Sequence, residues 1–300
     1  MEDCDLGSCV LHFTRLNFAR PHWSPQYTIS KCGEDVDGDA LKWAFLIIGY
    51  GGRFLFTDLQ YRILKRVAPG EPGHLTGAAY AGKSKLSILL GPDLLDQLKG
   101  KVVVDFGCGD GDQAIEIAQH GAHRVIGVDI RTDALERARK HAIEAGVADR
   151  CEFAEKTLDK ADVVVSLDAF EHFEDPAAIL DIMYDLLKPG GAVVASFGPT
   201  WYHPFGGHLF SVFPWAHILF TEGALIRWRN DIRDDGATRF HEVEGGLNQM
   251  TIARFEKLVA KSKFRLDMLE AVPIRRLKPI HNPLTREFTT AVVRCRLVKE

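Results

Sequence analysis

Between residues 100 and 198 the chain alternates between two rhythms: short runs of branched apolar residues, and longer stretches with apolar positions three and four apart. Lys101 to Phe106 is an apolar, β-branched run, which suits a strand buried on both faces. Asp112 to His120 follows with helical spacing, and Arg124 to Ile130 is a second strand. Thr132 to Ala145 reads as a helix: Thr132 can cap it, Glu136 and Lys140 sit four apart, and Gly146 ends it. Arg150 to Ala154 and Asp162 to Leu167 are the third and fourth strands. Pro176 to Leu187 is a helix closed by the turn from Lys188 to Gly191, and Ala192 to Phe197 is the fifth strand. Such alternation predicts a parallel sheet with right-handed crossovers.

The flanks differ. Residues 1–98 are irregular, with Pro and Gly clustered from Pro69 to Gly73 and a helix-like stretch from Leu41 to Lys65 interrupted by Gly49, Gly51 and Gly52. A helix from Tyr80 to Leu90 stops at Gly91-Pro92, and Pro92 to Leu98 starts a short one. Residues 199–248 break the rhythm and are rich in aromatics, His and Gly. A helix from Thr251 to Ser262 and strands from Phe264 to Ile274 and Glu287 to Val298 complete the sheet, the last strand antiparallel. The fold expected is α/β and Rossmann-like: seven strands, mostly parallel, with helices on both faces. Residues 1–98 form an N-terminal extension with lid helices. Residues 99–300 form the core, with 199–248 as a cap over the substrate.

Composition changes this picture little. In 300 residues, 46% are hydrophobic and 26% charged, ordinary for a soluble globular protein. A net charge of −4 gives no general pull toward nucleic acid, so no nucleic-acid partner is expected. Cysteines 4, 9, 32, 108, 151 and 295 fit no zinc spacing and read as reduced thiols of a cytoplasmic protein. Trp43 to Tyr50 and Leu209 to Phe220, the most apolar stretches, are too short to span a bilayer.

The first strand runs into a glycine-rich turn and then a helix, a sequence that builds a cofactor-binding corner at the carboxyl end of a sheet. Gly107 and Gly109 permit positive φ and leave room where a ligand must touch backbone. A dinucleotide fingerprint would need a glycine at 112; Asp112 stands there and Gly111 arrives one residue early. Asp110 and Asp112 would crowd a pyrophosphate with negative charge, which a zwitterionic sulfonium tolerates. Asp129, ending the second strand, can accept hydrogen bonds from ribose hydroxyls or cap the next helix.

These segments resemble four motifs of the class I S-adenosylmethionine (SAM)-dependent methyltransferases. They are Val-Val-Asp-Phe-Gly-Cys-Gly-Asp-Gly (103–111), Val-Ile-Gly-Val-Asp-Ile (125–130), Asp162 to His172 and Leu186 to Gly191. The resemblance covers roughly residues 100–200 plus the C-terminal helix and two strands. It implies that Asp105 orients the methionine amino group, Gly107, Cys108, Gly109 and Gly111 pass under the cofactor, and Asp129 holds the ribose. It also implies that Ile130 packs on adenine, that the adenine amino group meets Ala154, Glu155 and Lys156, and that Asp168 lies near the sulfonium. Tyr80, Lys83 and Ser84 are candidates for a lid surface. The implied cofactor is SAM, with S-adenosylhomocysteine as product.

Two loops at the strand ends carry candidate chemistry: Asp168 to His172 after the fourth strand, and Trp201 to His208 after the fifth. Glu171-His172 reads either as catalytic or as a hydrogen-bonded turn. His203 or His208 is the leading general base, each also readable as a satisfied loop histidine. Asp168-x-x-Glu171-His172 is similar to the Glu-x-x-Glu-His ligand set of some metal-assisted methyltransferases, among them small-RNA 2′-O-methyltransferases and quinone-pathway O-methyltransferases. That makes Mg²⁺ an alternative, although Asp168 shortens one ligand. The aromatics Trp201, Tyr202, Phe205, Phe210, Phe213, Trp215, Phe220 and Trp228 either line an apolar cavity or pack the insertion. The reading favoured is methyl transfer to O or N of a small aromatic or apolar acceptor. The alternatives are an RNA or peptide methyltransferase and a non-catalytic SAM-binding protein.

Overall fold

The strand runs pair as their rhythm predicts. In the computed structural model, β1 (Val102–Phe106), β2 (Arg124–Val128), β3 (Cys151–Ala154), β4 (Ala161–Leu167) and β5 (Leu187–Phe197) are parallel neighbours. β6 (Arg265–Pro273) and β7 (Thr290–Val298) are antiparallel, and β7 inserts between β5 and β6. The order β3-β2-β1-β4-β5-β7-β6 makes one seven-stranded, Rossmann-like sheet. The structure describes residues 52–68, 84–210, 213–232, 235–243 and 246–300, and Arg53–Glu300 is one compact unit.

Side chains alternate across the sheet. Val103, Val125 and Val165 face one layer, where they meet Leu86, Leu98, Ile117 and Leu135. Val104, Ile126, Val164 and Val193 face the other, where they meet Phe170, Leu180, Met183 and Phe255. The first layer is built by α2 (Lys85–Leu90), α3 (Leu94–Leu98), α4 (Asp112–Gln119) and α5 (Thr132–Glu144); α1 (Gly52–Val67) lies elsewhere. The second is built by α6 (Pro176–Leu186) and α8 (Ile252–Lys261), with α7 (Glu222–Asn230) between them in sequence. Thus α2 and α3, read from sequence as part of an N-terminal extension, share a core with β1.

A third cluster stands apart. Leu64 of α1 packs with Phe210, Leu225, Trp228, Phe240 and Leu247. Gln60 accepts from the Thr221 backbone at 2.9 Å, and the Trp228 indole donates to Ala68 O at 2.8 Å. The insertion after β5 therefore has its own small core, to which α1 belongs. Phe210 and Trp228 fill that core, whereas Phe205, Tyr202 and Trp215 remain between 36% and 40% exposed. The insertion's arginines pair with acids: Arg227 with Asp58, Arg239 with Glu222, and buried Arg229 with Asp235 through two 2.7 Å bonds.

Several boundaries differ from the sequence reading. The N-cap of α5 is Arg131, not Thr132, and the ion pair four residues apart is Asp133–Arg137. The Lys188–Gly191 turn joins β5, because Gly190 N and Lys299 N exchange hydrogen bonds with Lys299 O and Gly191 O. Residues 286–289 form a helical turn, not strand, so Glu287 lies outside β7. Its carboxylate instead accepts from Ile252 N and Ala253 N, capping α8 from a distance.

Candidate active site

The carboxyl ends of β1 and β2 form a glycine turn pinned at several points. Gly107 N and Cys108 N both donate to Val128 O, at 2.7 and 3.1 Å. Gly107, Gly109 and Gly111 all have positive φ. Gly109 N donates to Asp129 Oδ2 at 2.8 Å, while Asp129 Oδ1 accepts from Arg131 N and Nε. Asp129 therefore holds the turn itself. Gly111 serves packing: a Cβ there would lie 2.8 Å from Ala138 Cβ and 3.0 Å from the Phe153 ring. The Cys108 thiol points inward too, and burial pushes its pKa far up. Only the backbone of these two residues is available to a ligand.

Asp105, near the end of β1, is 2% exposed. Burial pushes its carboxyl up to about 7, against the opposing pull of the Ala114 backbone N–H and the Lys85 charge. Its Oδ2 has no hydrogen-bond partner among the described residues. An ammonium group would satisfy that oxygen. Across the turn, Ile130 is 88% exposed and Glu155 is exposed. An apolar side chain so open at a strand's carboxyl end offers a face to a planar ring.

The acceptor side begins at β4. Asp168 adopts φ 47°, its N–H donates to Ser196 O, and its Oδ2 meets Lys85 Nζ at 2.8 Å. Glu171 is 2% exposed, and its Oε1 accepts from Gly198 N at 3.1 Å. Burial, followed by the Asp168 charge, pushes Glu171 up to about 8. The His172 ring pairs through Nδ1 with Gly246 O at 2.9 Å. His208, at φ 51°, brings its ring centroid to 5.2 Å from that of His172. Burial, helped by nearby histidines, holds His208 down to about 4. Ligand atoms of Glu171, His172 and His208 all lie within 4.8 Å of one another. Glu171 Oε2 and His208 Nε2 are buried without partners among the described residues.

Thus the two strand-end loops meet, through His208. His203 takes a different course: its Nδ1 accepts from Phe205 N at 2.9 Å, inside its own turn. Asp168 faces Lys85 instead of joining the three-residue cluster. Tyr80 and Lys83 lie outside the described residues. Sequence reasoning missed two residues. Lys85 gave no signal, because a helix read from Tyr80 to Leu90 puts it mid-helix, whereas α2 starts at Lys85. His217, whose Nε2 pairs with Trp201 O at 2.6 Å, is packed where a Cβ at Gly207 would lie 2.4 Å from its own Cβ. Gly206 is constrained likewise by Thr200 O, so this glycine pair serves close approach.

Residues 83–228 match the family model described as a methyltransferase domain. A ubiquinone biosynthesis O-methyltransferase of Aeromonas salmonicida is 40% identical over 105 residues, 33% of this chain and 44% of that enzyme. Its counterpart from Aromatoleum aromaticum is 37% identical over 128 residues, 41% of this chain and 53% of that enzyme. The chain thus spans about half the length of these curated relatives. Among solved structures, magnesium protoporphyrin IX methyltransferase from Synechocystis PCC 6803 aligns over 88% of this chain and 100% of its own, with 18% identity and a TM-score of 0.46. Residues 83–228 thus carry a methyltransferase domain. No helix among the described residues is long and apolar enough to cross a membrane.

Proposed function

We propose that this protein transfers a methyl group from SAM to a hydroxyl oxygen of a small aromatic or apolar acceptor, with a divalent cation such as Mg²⁺ at the acceptor side. The observation that carries this reading is the convergence of Glu171, His172 and His208, with two buried ligand atoms that have no partner among the described residues. The name shared by the curated relatives supports oxygen as the accepting atom.

SAM fits the first half of the mouth. Asp105 offers the methionine ammonium a buried oxygen with no partner among the described residues, Asp129 follows β2 where a ribose would reach it, and exposed Ile130 offers the adenine an apolar face. Bound there, SAM supplies an activated methyl on a neutral leaving group: the sulfur–methyl bond breaks, an oxygen–methyl bond forms, and S-adenosylhomocysteine and the acceptor's proton depart.

The metal cluster passes the corresponding test. Glu171 Oε2 and His208 Nε2 are buried without a partner among the described residues, and a cation would satisfy them. Burial favours the uncharged, ligand-competent form of His208. A divalent cation held by the three would draw charge from the acceptor hydroxyl and ease loss of its proton. Glu171, anchored by Gly198 N, fixes the height of the cluster above β4 and β5. The cap's rigid core and the α2 side hold the acceptor in line and exclude water, which lowers the barrier by several kcal/mol.

The test uses tritiated SAM with phenolic and catecholic acceptors on one side and total RNA on the other. Label in the phenol ether, lost on chelation and restored by Mg²⁺, is the expected result. Label in RNA overturns the acceptor class, and undiminished turnover after exhaustive chelation overturns the metal.

A further inference from the structure

The acceptor cluster leaves one carboxylate unexplained. Asp168 lies three residues before Glu171, yet its Oδ2 is held by Lys85 Nζ at 2.8 Å, and the cation-binding set forms without it. Lys85 is itself oddly placed. It is the first residue of α2, following the Ser84 cap, so its charge faces the positive end of that helix. Such a position is disfavoured unless a nearby anion offsets it, and Asp168 is that anion. The ion pair is only a quarter exposed on each side, 27% and 24%.

The helix that presents Lys85 is fastened at its other end. Arg294 on β7 donates from Nε to Leu89 O at 2.6 Å and from Nη2 to Ile88 O at 2.8 Å. Leu86 and Leu89 are buried in the sheet's first core layer. Lys85 thus projects from a fixed platform toward Asp168, and its charge also acts on Asp105 and Glu171.

We infer that Lys85 and a divalent cation compete for Asp168: Lys85 is a positioning residue that keeps this carboxylate out of the metal's ligand set until the cation displaces it. The inference rests on the metal reading given above. A dication drawn to Glu171, His172 and His208 would also attract Asp168, three residues before Glu171 in the same loop. Each ångström Asp168 moves toward the cation weakens its bond to Lys85. Lys85 therefore sets how tightly the site holds metal, and couples metal occupancy to α2, which borders the cofactor side through Asp105.

Binding of Mn²⁺ to the full chain without SAM, followed by electron paramagnetic resonance of the free ion, reads this directly. Lys85→Met should bind Mn²⁺ about fivefold tighter than the native chain, the effect of releasing a half-buried ion pair. Lys85→Arg should stay near the native value, because the counter-charge is retained. In an Asp168→Asn background, Lys85→Met should change nothing. Equal or weaker Mn²⁺ binding by Lys85→Met overturns the competition while leaving the metal reading intact. Absence of Mn²⁺ binding in every variant overturns the metal reading and this inference with it. If Lys85→Met fails to fold, Lys85→Gln replaces it under the same expectations.

Discussion

Replacing Asp105 by asparagine removes a charge that the folded chain holds against the grain of its surroundings. The carboxyl is 2% exposed, its Oδ2 has no partner among the described residues, and burial pushes it up to about 7 from an ordinary value of 3.8. The sign follows from linkage. A carboxyl raised on folding stabilises the fold fully below about 3.8, and that contribution is lost as pH rises to about 7. Within this window each pH unit costs about 1.4 kcal/mol. Between about pH 5 and about pH 7 the native chain should therefore lose about 2 kcal/mol that the Asp105→Asn variant keeps. Asparagine preserves shape and still accepts from the Ala114 N–H, so the difference between the two proteins isolates one ionisation. Urea titrations of both at a series of pH values measure it. A stability difference that stays flat from about pH 5 to about pH 8 would refute the reasoning. With saturating SAM the ranking should invert, since the proposed ammonium partner favours the carboxylate and asparagine cannot offer it.

Gly111→Ala should destabilise the fold by about 2–4 kcal/mol, since the new methyl meets Ala138 and Phe153 at a positive φ; calorimetry would show the fall in melting temperature, and an unchanged one would contradict the packing. His208→Ala should abolish most turnover while SAM affinity, followed by calorimetric titration, stays within about twofold. His203→Ala, whose ring only braces the Phe205 turn, should retain most activity; equal losses in the two variants would remove the distinction drawn between them. Glu287→Gln should lower stability by about 1 kcal/mol through the weakened cap on α8, read by chemical denaturation.

The sheet was legible because its strands alternate cleanly. Val103 and Val104, or Val164 and Val165, face opposite buried layers, so the apolar runs mark them without ambiguity. The glycine turn and the paired strands followed from the same logic. What escaped reading depends on partners distant in sequence. Glu287 looks like a strand residue until α8 supplies the amides it caps. His208 and His203 look equivalent in a loop with two glycines; only the fold turns one toward Glu171. Lys85 looks like any mid-helix lysine until β4 delivers Asp168 to it. The aromatic insertion shows no period because its core is assembled from α1 and several short turns, each contributing one or two rings.

The position of β7 has a consequence for the order of assembly. It is the last strand in sequence, yet it lies inside the sheet, between β5 and β6, and it carries the arginine that fastens α2. A nascent chain can pair β1 through β5 as they emerge, but the edge of β5 stays open and α2 unfastened until residues 290–298 are made. The lysine that faces Asp168 therefore comes under the control of a late strand-insertion step. A chain stalled before that step would present an unpaired β5 edge to its neighbours.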